Sequence, residues 1–281
     1  MILRAFAKVN LCLSVGEAIR EGVHRGMHPI ASWMVPLDLC DEVEIAPASQ
    51  RTVDVRWADG TPVAWDIERD LATRAAKLLD DRLGSRGYQI SVRKRIPAGG
   101  GLGGGSSDAA AVLLGLDELF GLGIAREELR SRSAELGSDI AFFIDDVAVG
   151  EPPRPAIVEG LGDRVERTAL LSGDLTLVCP EFGCPTGEVY RAFDDIGAGR
   201  LRAAEVRATA HTGDLRDDVL FNDLAGPAER VAPELSGVRA RVAAESGRPA
   251  HVSGSGSTVF VLGWHESDVN VGTVYRTSIA R

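Results

Sequence analysis

The chemistry-bearing residues of this chain are densest in one run: Pro97-Ala98-Gly99-Gly100-Gly101-Leu102-Gly103-Gly104-Gly105-Ser106-Ser107. Six glycines surround a single leucine there. Glycine admits positive φ and puts no Cβ between the backbone and a ligand. Successive N–H groups can then turn inward and form a nest for an anion. The run leads into Ser106–Phe120, a nearly all-apolar segment that predicts a centrally buried helix. The start of such a helix adds unpaired N–H groups and the positive end of its dipole. The hydroxyls of Ser106 and Ser107 can cap that helix, donate to phosphate oxygens or approach a metal. The expected chemistry is phosphate binding.

Other readings of the run fit less well. A flexible linker seldom joins an alternating strand to a strongly apolar helix. Gly99, Gly101 and Gly104 formally match the dinucleotide fingerprint, as almost any glycine run would. Arg93, Lys94 and Arg95 just before it do not suit a parallel strand buried on both faces. The P-loop ATPase pattern needs Gly-Lys-Ser/Thr, and no lysine follows here. What the order Pro97-x-x-x-Gly101-Leu102-Gly103-x-x-Ser106-Ser107 resembles is the phosphate loop of the GHMP kinases.

Further segments carry the resemblance along nearly the whole chain: Ala7-Lys8-Val9-Asn10-Leu11, Leu136 to Phe143 (LGSDIAFF), Asn222-Asp223-Leu224 and Ser253 to Ser257 (SGSGS). They are similar to one branch of that family, whose substrate alcohol is linked to cytidine diphosphate. The resemblance implies an α+β, two-domain fold with the active-site cleft between the domains, and MgATP as phosphoryl donor. It implies Lys8 and Asp139 as the catalytic pair. A carboxylate within hydrogen-bond reach can orient an alcohol and accept its proton late in transfer. A nearby lysine keeps that carboxylate ionised and offsets charge on the transferring group. Residue by residue, Lys8 also reads as a solvated charge at a strand edge. Asp139 also reads as a helix N-cap. Asp108 reads as a dipole-stabilising residue in the first helical turn.

On the substrate side, Asn10 either orients substrate or satisfies backbone at a strand end. His28 matches the histidine of the branch's Gly-Tyr-His motif, written here Gly26-Met27-His28. Methionine can still contact a ring face through its sulfur. Tyr190, in Thr186-Gly187-Glu188-Val189-Tyr190, matches a second aromatic partner, so a base is expected between the Met27–His28 corner and Tyr190, with Thr186 alongside. Homoserine or mevalonate kinases, the nearest rivals, act on substrates with no base to stack. A catalytically silent nucleotide-binding protein on the same fold is the rival outside enzymes. His24 and His28 are four apart, but Gly26 and Pro29 argue against a metal-binding helix there. The resemblance also marks Asp70-Leu71-Ala72, where the family has Asn-Leu beside adenine.

Positioning these residues requires strands and separate helices. Ile2–Val15 predicts a strand or hairpin arm, Val35–Leu39 and Glu42–Ile45 strand character, and Asp66–Gly84 a helix. Gln89–Ile96 alternates, with Ile90, Val92 and Ile96 on one face and Ser91, Arg93 and Arg95 on the other. Leu175–Cys179 reads as a strand, Thr186–Phe193 and Pro233–Ser246 as helices, and His251–Leu262 as strand, turn, strand. Gly150–Pro155 is the linker candidate, which divides the chain into 1–150, bearing the phosphate loop and catalytic residues, and 151–281 on the substrate side. Such a mixture suits α+β rather than a βαβ series.

Composition bounds the partners. At 281 residues with 44% hydrophobic and 26% charged residues, the chain can build a true core. A formal net charge of −10 argues against nucleic acid. No apolar run of about 18 residues predicts a membrane span, and the start lacks a signal-peptide pattern. Four cysteines without a C-x-x-C pair fit reduced thiols in a cytoplasmic protein. The expected partner is a small nucleotide-linked alcohol, the protein itself being a monomer or homodimer.

Overall fold

The computed structural model describes residues 1–197, 199–265 and 272–281. Along the chain run β1 (Ile2–Val15), β2 (Ile30–Ala48), β3 (Thr52–Trp57), α1 (Leu71–Lys77), α2 (Asp80–Leu83), β4 (Gly87–Lys94), α3 (Gly104–Phe120), α4 (Arg126–Ser133) and α5 (Ile140–Phe143). There follow β5 (Ala156–Gly160), β6 (Arg164–Arg167), β7 (Asp174–Pro180), α6 (Thr186–Ile196), α7 (Ala203–Thr212), β8 (Phe221–Asn222), α8 (Ala225–Val231), α9 (Glu234–Ser246), β9 (His251–Val252), β10 (Val259–Leu262) and β11 (Gly272–Ser278). The class is α+β, as expected.

The chain forms two compact units. One holds Met1–Ala7, Asp38–Ile96 and Gly103–Pro153; the other holds Lys8–Leu37, Pro97–Leu102 and Arg154–Arg281. The later junction falls inside the Gly150–Pro155 segment. Residues 8–37 and 97–102, though early in sequence, group with the later residues.

In the first unit β4 pairs antiparallel with the 42–48 half of β2 and parallel with β3. Its pleat buries Tyr88, Ile90 and Val92 while Gln89 and Arg93 face water. Lys94 shares the buried face. Helix α3 packs on α1 and is buried continuously from Ser107 to Asp117, which is why its sequence is apolar all round. Gly115 lets it approach the sheet: a Cβ there would lie 2.6 Å from Ile45 Cδ1 and 2.7 Å from Leu3 Cδ1. The single helix expected over 66–84 is instead a 3₁₀ turn, Ile67–Arg69, followed by α1 and α2. Asp66 and Asp70 are extended, and their carboxylates accept Glu68 N at 3.0 Å and Ala72 N at 2.8 Å. Local side-chain bonds of this kind restart a helix rather than continue it.

The second unit contains a four-stranded antiparallel sheet in the order β11-β7-β10-β9. Its core joins Val178, Val259 and Val261 of the sheet to Val189 and Phe193 of α6, Leu235, Val238 and Val242 of α9, and Leu13, Val15 and Ile30. Residues 30–34 of β2 pair with β5, and β8 runs parallel to β1 at Cys12 and Leu13. This unit also holds His251, half-buried, its ring tilted against Phe260 at 5.3 Å and its Nε2 3.1 Å from Asp217 Oδ1. Burial pulls its pKa below 6.5 despite Asp217. The unfolded chain therefore takes up a proton near pH 6.5 that the folded chain accepts only at lower pH, so this residue's contribution to stability falls as pH drops through that window. The expected result is that His251→Gln unfolds at a urea midpoint less sensitive to pH between 7.5 and 5.5 than the parent. An equal slope for both proteins would refute it.

Candidate active site

The glycine run is built from alternating backbone conformations. Gly99, Gly101 and Gly103 have φ of 74°, 76° and 72°, values that side-chain-bearing residues rarely adopt. Within the second unit the protein grips this loop through its carbonyls. Leu102 O accepts Lys8 N at 2.9 Å, Gly100 O accepts Thr258 N at 3.2 Å, and Gly101 O accepts both Lys8 Nζ at 2.9 Å and Ser253 Oγ at 3.1 Å. A Cβ on Gly101 would lie 2.3 Å from Ser253 O, and one on Gly100 2.6 Å from Thr258 Oγ1. The turn at Ser253–Ser257 is thus a brace for the loop. Asn222 anchors that brace, donating through Nδ2 to Val252 O and Gly254 O at 2.7 Å each. Asp223 accepts Ser14 Oγ and Val15 N. The Asn-Asp-Leu motif therefore has a scaffolding role.

Helix α3 begins at Gly104, two residues earlier than expected, behind an N-cap Gly103 in the left-handed conformation. No side chain caps it and its first turn carries no acid; a helix end of this kind can accept an anion. Ser106 and Ser107 lie within that first turn rather than capping it; Ser107 is buried and Ser106 half-buried. Asp108 falls in the second turn and does not serve the dipole. It is buried, bonded through Oδ2 to Lys94 Nζ at 2.5 Å. Lys94 Nζ also meets Asp41 Oδ2. Burial pushes the Asp108 carboxyl upward against the pull of Lys94, with Asp41 adding to the rise. Burial alone would lower the Lys94 pKa, but Asp108 and Asp41 hold it above the ordinary lysine value.

Lys8 is buried on β1 rather than solvated, with Nζ 2.6 Å from Asn10 Oδ1. Asn10 Nδ2 donates to Ser32 Oγ at 2.8 Å, and Ser32 Oγ to Cys12 O at 2.8 Å. The strand thus presents Lys8, Asn10 and the loop carbonyl Gly101 O as one bonded group. Asp139 lies in the first unit, half-buried at the N-cap position of α5, yet its side chain makes no capping bond. This segment lies beside α3: a Cβ on Gly137 would be 4.0 Å from Ser106 Oγ.

In the second unit His28 packs against α6. Its ring centroid is 5.0 Å from Tyr190 and 5.9 Å from Phe193, and its Nε2 is 2.8 Å from Asp194 Oδ1. Two successive aromatic contacts span about 9 Å or more, so no base fits between His28 and Tyr190 as they stand. Met27 is exposed. Thr186, at the start of α6, is joined to the brace by Thr186 Oγ1 and Ser255 Oγ at 3.0 Å. His24 and His28 share no helix, and among the described residues no cluster of three metal-ligating side chains occurs. Asp70, marked beside adenine, is occupied by Ala72 N and Trp65 Nε1.

The sequence reading missed Asp41, Lys94, Thr258 and Asp194. A signal existed for Lys94, which has the same strand parity as Ile90 and Val92; a lysine on an apolar face demands a buried acid. Asp108 stands out likewise in an apolar helix. Asp41 and Thr258 carry no local mark, because their partners are distant in sequence.

Residues 70–149 match the GHMP kinase N-terminal domain. A 4-diphosphocytidyl-2-C-methyl-D-erythritol kinase from Symbiobacterium thermophilum is 37% identical, covering 92% of this chain and 89% of its own. A crystal structure of 4-(cytidine 5'-diphospho)-2C-methyl-D-erythritol kinase superposes with a TM-score of 0.76 at 31% identity over the whole of both chains. A mevalonate kinase shares the fold at a TM-score of 0.64 and 13% identity, with 100% of this chain and 99% of its own covered. With that identity sustained over nearly its whole length, on a scaffold that braces a glycine-rich loop, the chain belongs to the 4-diphosphocytidyl-2-C-methyl-D-erythritol kinase family of GHMP kinases.

Proposed function

We propose that the chain transfers the γ-phosphoryl group of ATP to the 2-hydroxyl of 4-diphosphocytidyl-2-C-methyl-D-erythritol, a step of non-mevalonate isoprenoid precursor synthesis. The observation that carries this reading is the bond from Lys8 Nζ to Gly101 O, which puts a buried ammonium on the backbone of the phosphate loop. The cradle fits a polyphosphate: Gly100, Gly101 and Gly104 stand where an added Cβ would collide, and an uncapped helix end follows. Mg²⁺ belongs to the same reading as the ion accompanying the nucleotide, bound in such sites through substrate phosphates and few protein groups. No residue is assigned to it.

The chain's own groups divide the work. Backbone donors of 99–107 hold the phosphates, and Lys8 offsets negative charge on the group in transfer. Asp139 orients the alcohol and takes its proton. Asn10 keeps the Lys8 ammonium on station. Tyr190, His28 and Met27 recognise the base, which does not lie between the His28 and Tyr190 rings. Asp194 engages Nε2, which leaves Nδ1 to read a polar edge. A cytoplasmic setting is part of the reading, in keeping with the absence of a membrane-crossing helix among the described residues.

Binding energy from the cytidine end, far from the reacting hydroxyl, serves to position that hydroxyl. Accordingly 2-C-methyl-D-erythritol, lacking the cytidyl diphosphate, is expected to show a kcat/KM lower by about 10²-fold or more. Tyr190→Ala is expected to lose ~0.5–1.5 kcal/mol beyond its contact area, and His28→Ala about 1–3 kcal/mol. Steady-state assays on both alcohols check this. Equal kcat/KM for the two would rule out cytidine recognition and leave an alcohol kinase of other specificity.

A further inference from the structure

Three buried charges of the first unit have no part in the chemistry above. Asp41, Lys94 and Asp108 are 0%, 4% and 2% exposed. Lys94 Nζ bonds one carboxylate oxygen of each aspartate. The remaining oxygen of Asp41 accepts two backbone donors, Arg95 N and, at 2.8 Å, Ile96 N. The remaining oxygen of Asp108 is buried with no hydrogen-bond partner.

Stability is a poor reason for such a group. Buried ion pairs seldom outperform well-packed apolar residues of the same volume, and the orphaned Asp108 oxygen is itself a cost. Location offers a better one. The first unit's chain leaves at Ile96 and resumes at Gly103, so in sequence the loop 97–102 lies between these two stems. Asp41 clasps the backbone of residues 95 and 96, the stem that enters the loop. Asp108 sits on α3, the stem that leaves it. Lys94 ties the two carboxylates together. The stems also touch directly: a Cβ on Gly104 would lie 2.9 Å from Ile96 Cγ2 and 3.4 Å from Lys94 Nζ. An apolar trio could fill this space but could not hold the two N–H groups of the entering stem.

We propose that Asp41, Lys94 and Asp108 form a positioning cluster that sets the spacing of the phosphate-loop stems and thereby preorganises the loop for nucleotide. This rests on the reading of residues 97–107 as the phosphate cradle. Donors in such a cradle must be held within about 0.5 Å to act together. The cluster therefore governs nucleotide affinity more than the chemical step.

The test is calorimetric titration with a non-hydrolysable ATP analogue, alongside steady-state kinetics, on the full chain. Asp108→Ala frees the leaving stem while Lys94 and Asp41 remain paired. Its analogue Kd and ATP KM are expected to rise about tenfold, equivalent to ~1.4 kcal/mol, with kcat at saturating ATP within about threefold. Asp108→Asn keeps an acceptor for Lys94 and is expected to recover most of the affinity. Should the alanine variant not fold, Asp108→Ser, too short to reach Lys94, replaces it. An analogue Kd within twofold of the parent in a folded Ala or Ser variant overturns the proposal, whatever the change in Tm. Gly101→Val in the same titration separates the causes. If it weakens binding and the Asp108 variants do not, only the cluster fails. If it too leaves the affinity unchanged, the cradle reading fails with it.

Discussion

Asp139→Asn is expected to lower kcat by about 10²–10⁴, the usual contribution of a general acid–base group, with ATP-analogue affinity little changed. The substitution keeps the shape of the side chain and removes its charge and its capacity to accept a proton. Helix capping does not explain such a loss. Asp139 occupies an N-cap position, but its side chain makes no capping hydrogen bond to α5. Asparagine is in any case as good an N-cap as aspartate. A fall in activity with unchanged Tm would thus report on chemistry. Loss of kcat and kcat/KM in equal measure would identify an interaction made only in the transition state. Turnover within threefold of the parent would sink the assignment of Asp139 as proton acceptor.

Gly101→Val is expected to weaken nucleotide binding by about 10²-fold or more, or ~2.7 kcal/mol. Two penalties coincide. At φ of 76° a branched residue is strained. Its Cβ would also lie 2.3 Å from Ser253 O and 3.2 Å from Gly256 O, both backbone atoms that cannot rotate away. Relief requires moving the loop, which breaks the bonds from Lys8 Nζ and Ser253 Oγ to Gly101 O. Gly99→Ala is the matched control. Its φ is similar, at 74°, but an added Cβ meets no atom within 4 Å. Backbone strain alone is expected to cost it no more than about tenfold, from ~1 kcal/mol in the left-handed region. Equal affinities for parent and Gly101→Val in calorimetry would show that this loop does not hold the phosphates.

Much of the site was legible because it is local in sequence. The glycine run, the apolar helix after it and the alternation of Ile90 and Val92 are patterns of spacing, and spacing survives folding. The same holds for Leu175–Cys179 and for the helix carrying Tyr190, which the structure reproduces as β7 and α6. The motif order was enough to identify the family, since the residues of the glycine loop follow one another along a single stretch of chain. One helix boundary failed because Asp70 could cap as well as continue, and a local count cannot decide between those.

What only the tertiary structure decided is every pairing between residues far apart in the chain. Lys94 reads as one of three consecutive cations, and its burial between Asp41, 53 residues away, and Asp108 became visible only when β2 and α3 met the end of β4. Ser253 reads as part of a second glycine turn; that it closes on Gly101, 152 residues earlier, makes that glycine irreplaceable. His28 and Tyr190 were each matched separately, but their mutual contact, and the hold of Asp194 on the imidazole, excluded a base from the space between them. The physical reason is common to all three. Sequence by itself determined the periodicities and the backbone freedom that make strands, helices and a phosphate loop possible. Hydrogen bonds, burial and steric contact act between neighbours in space, and the fold chose those neighbours.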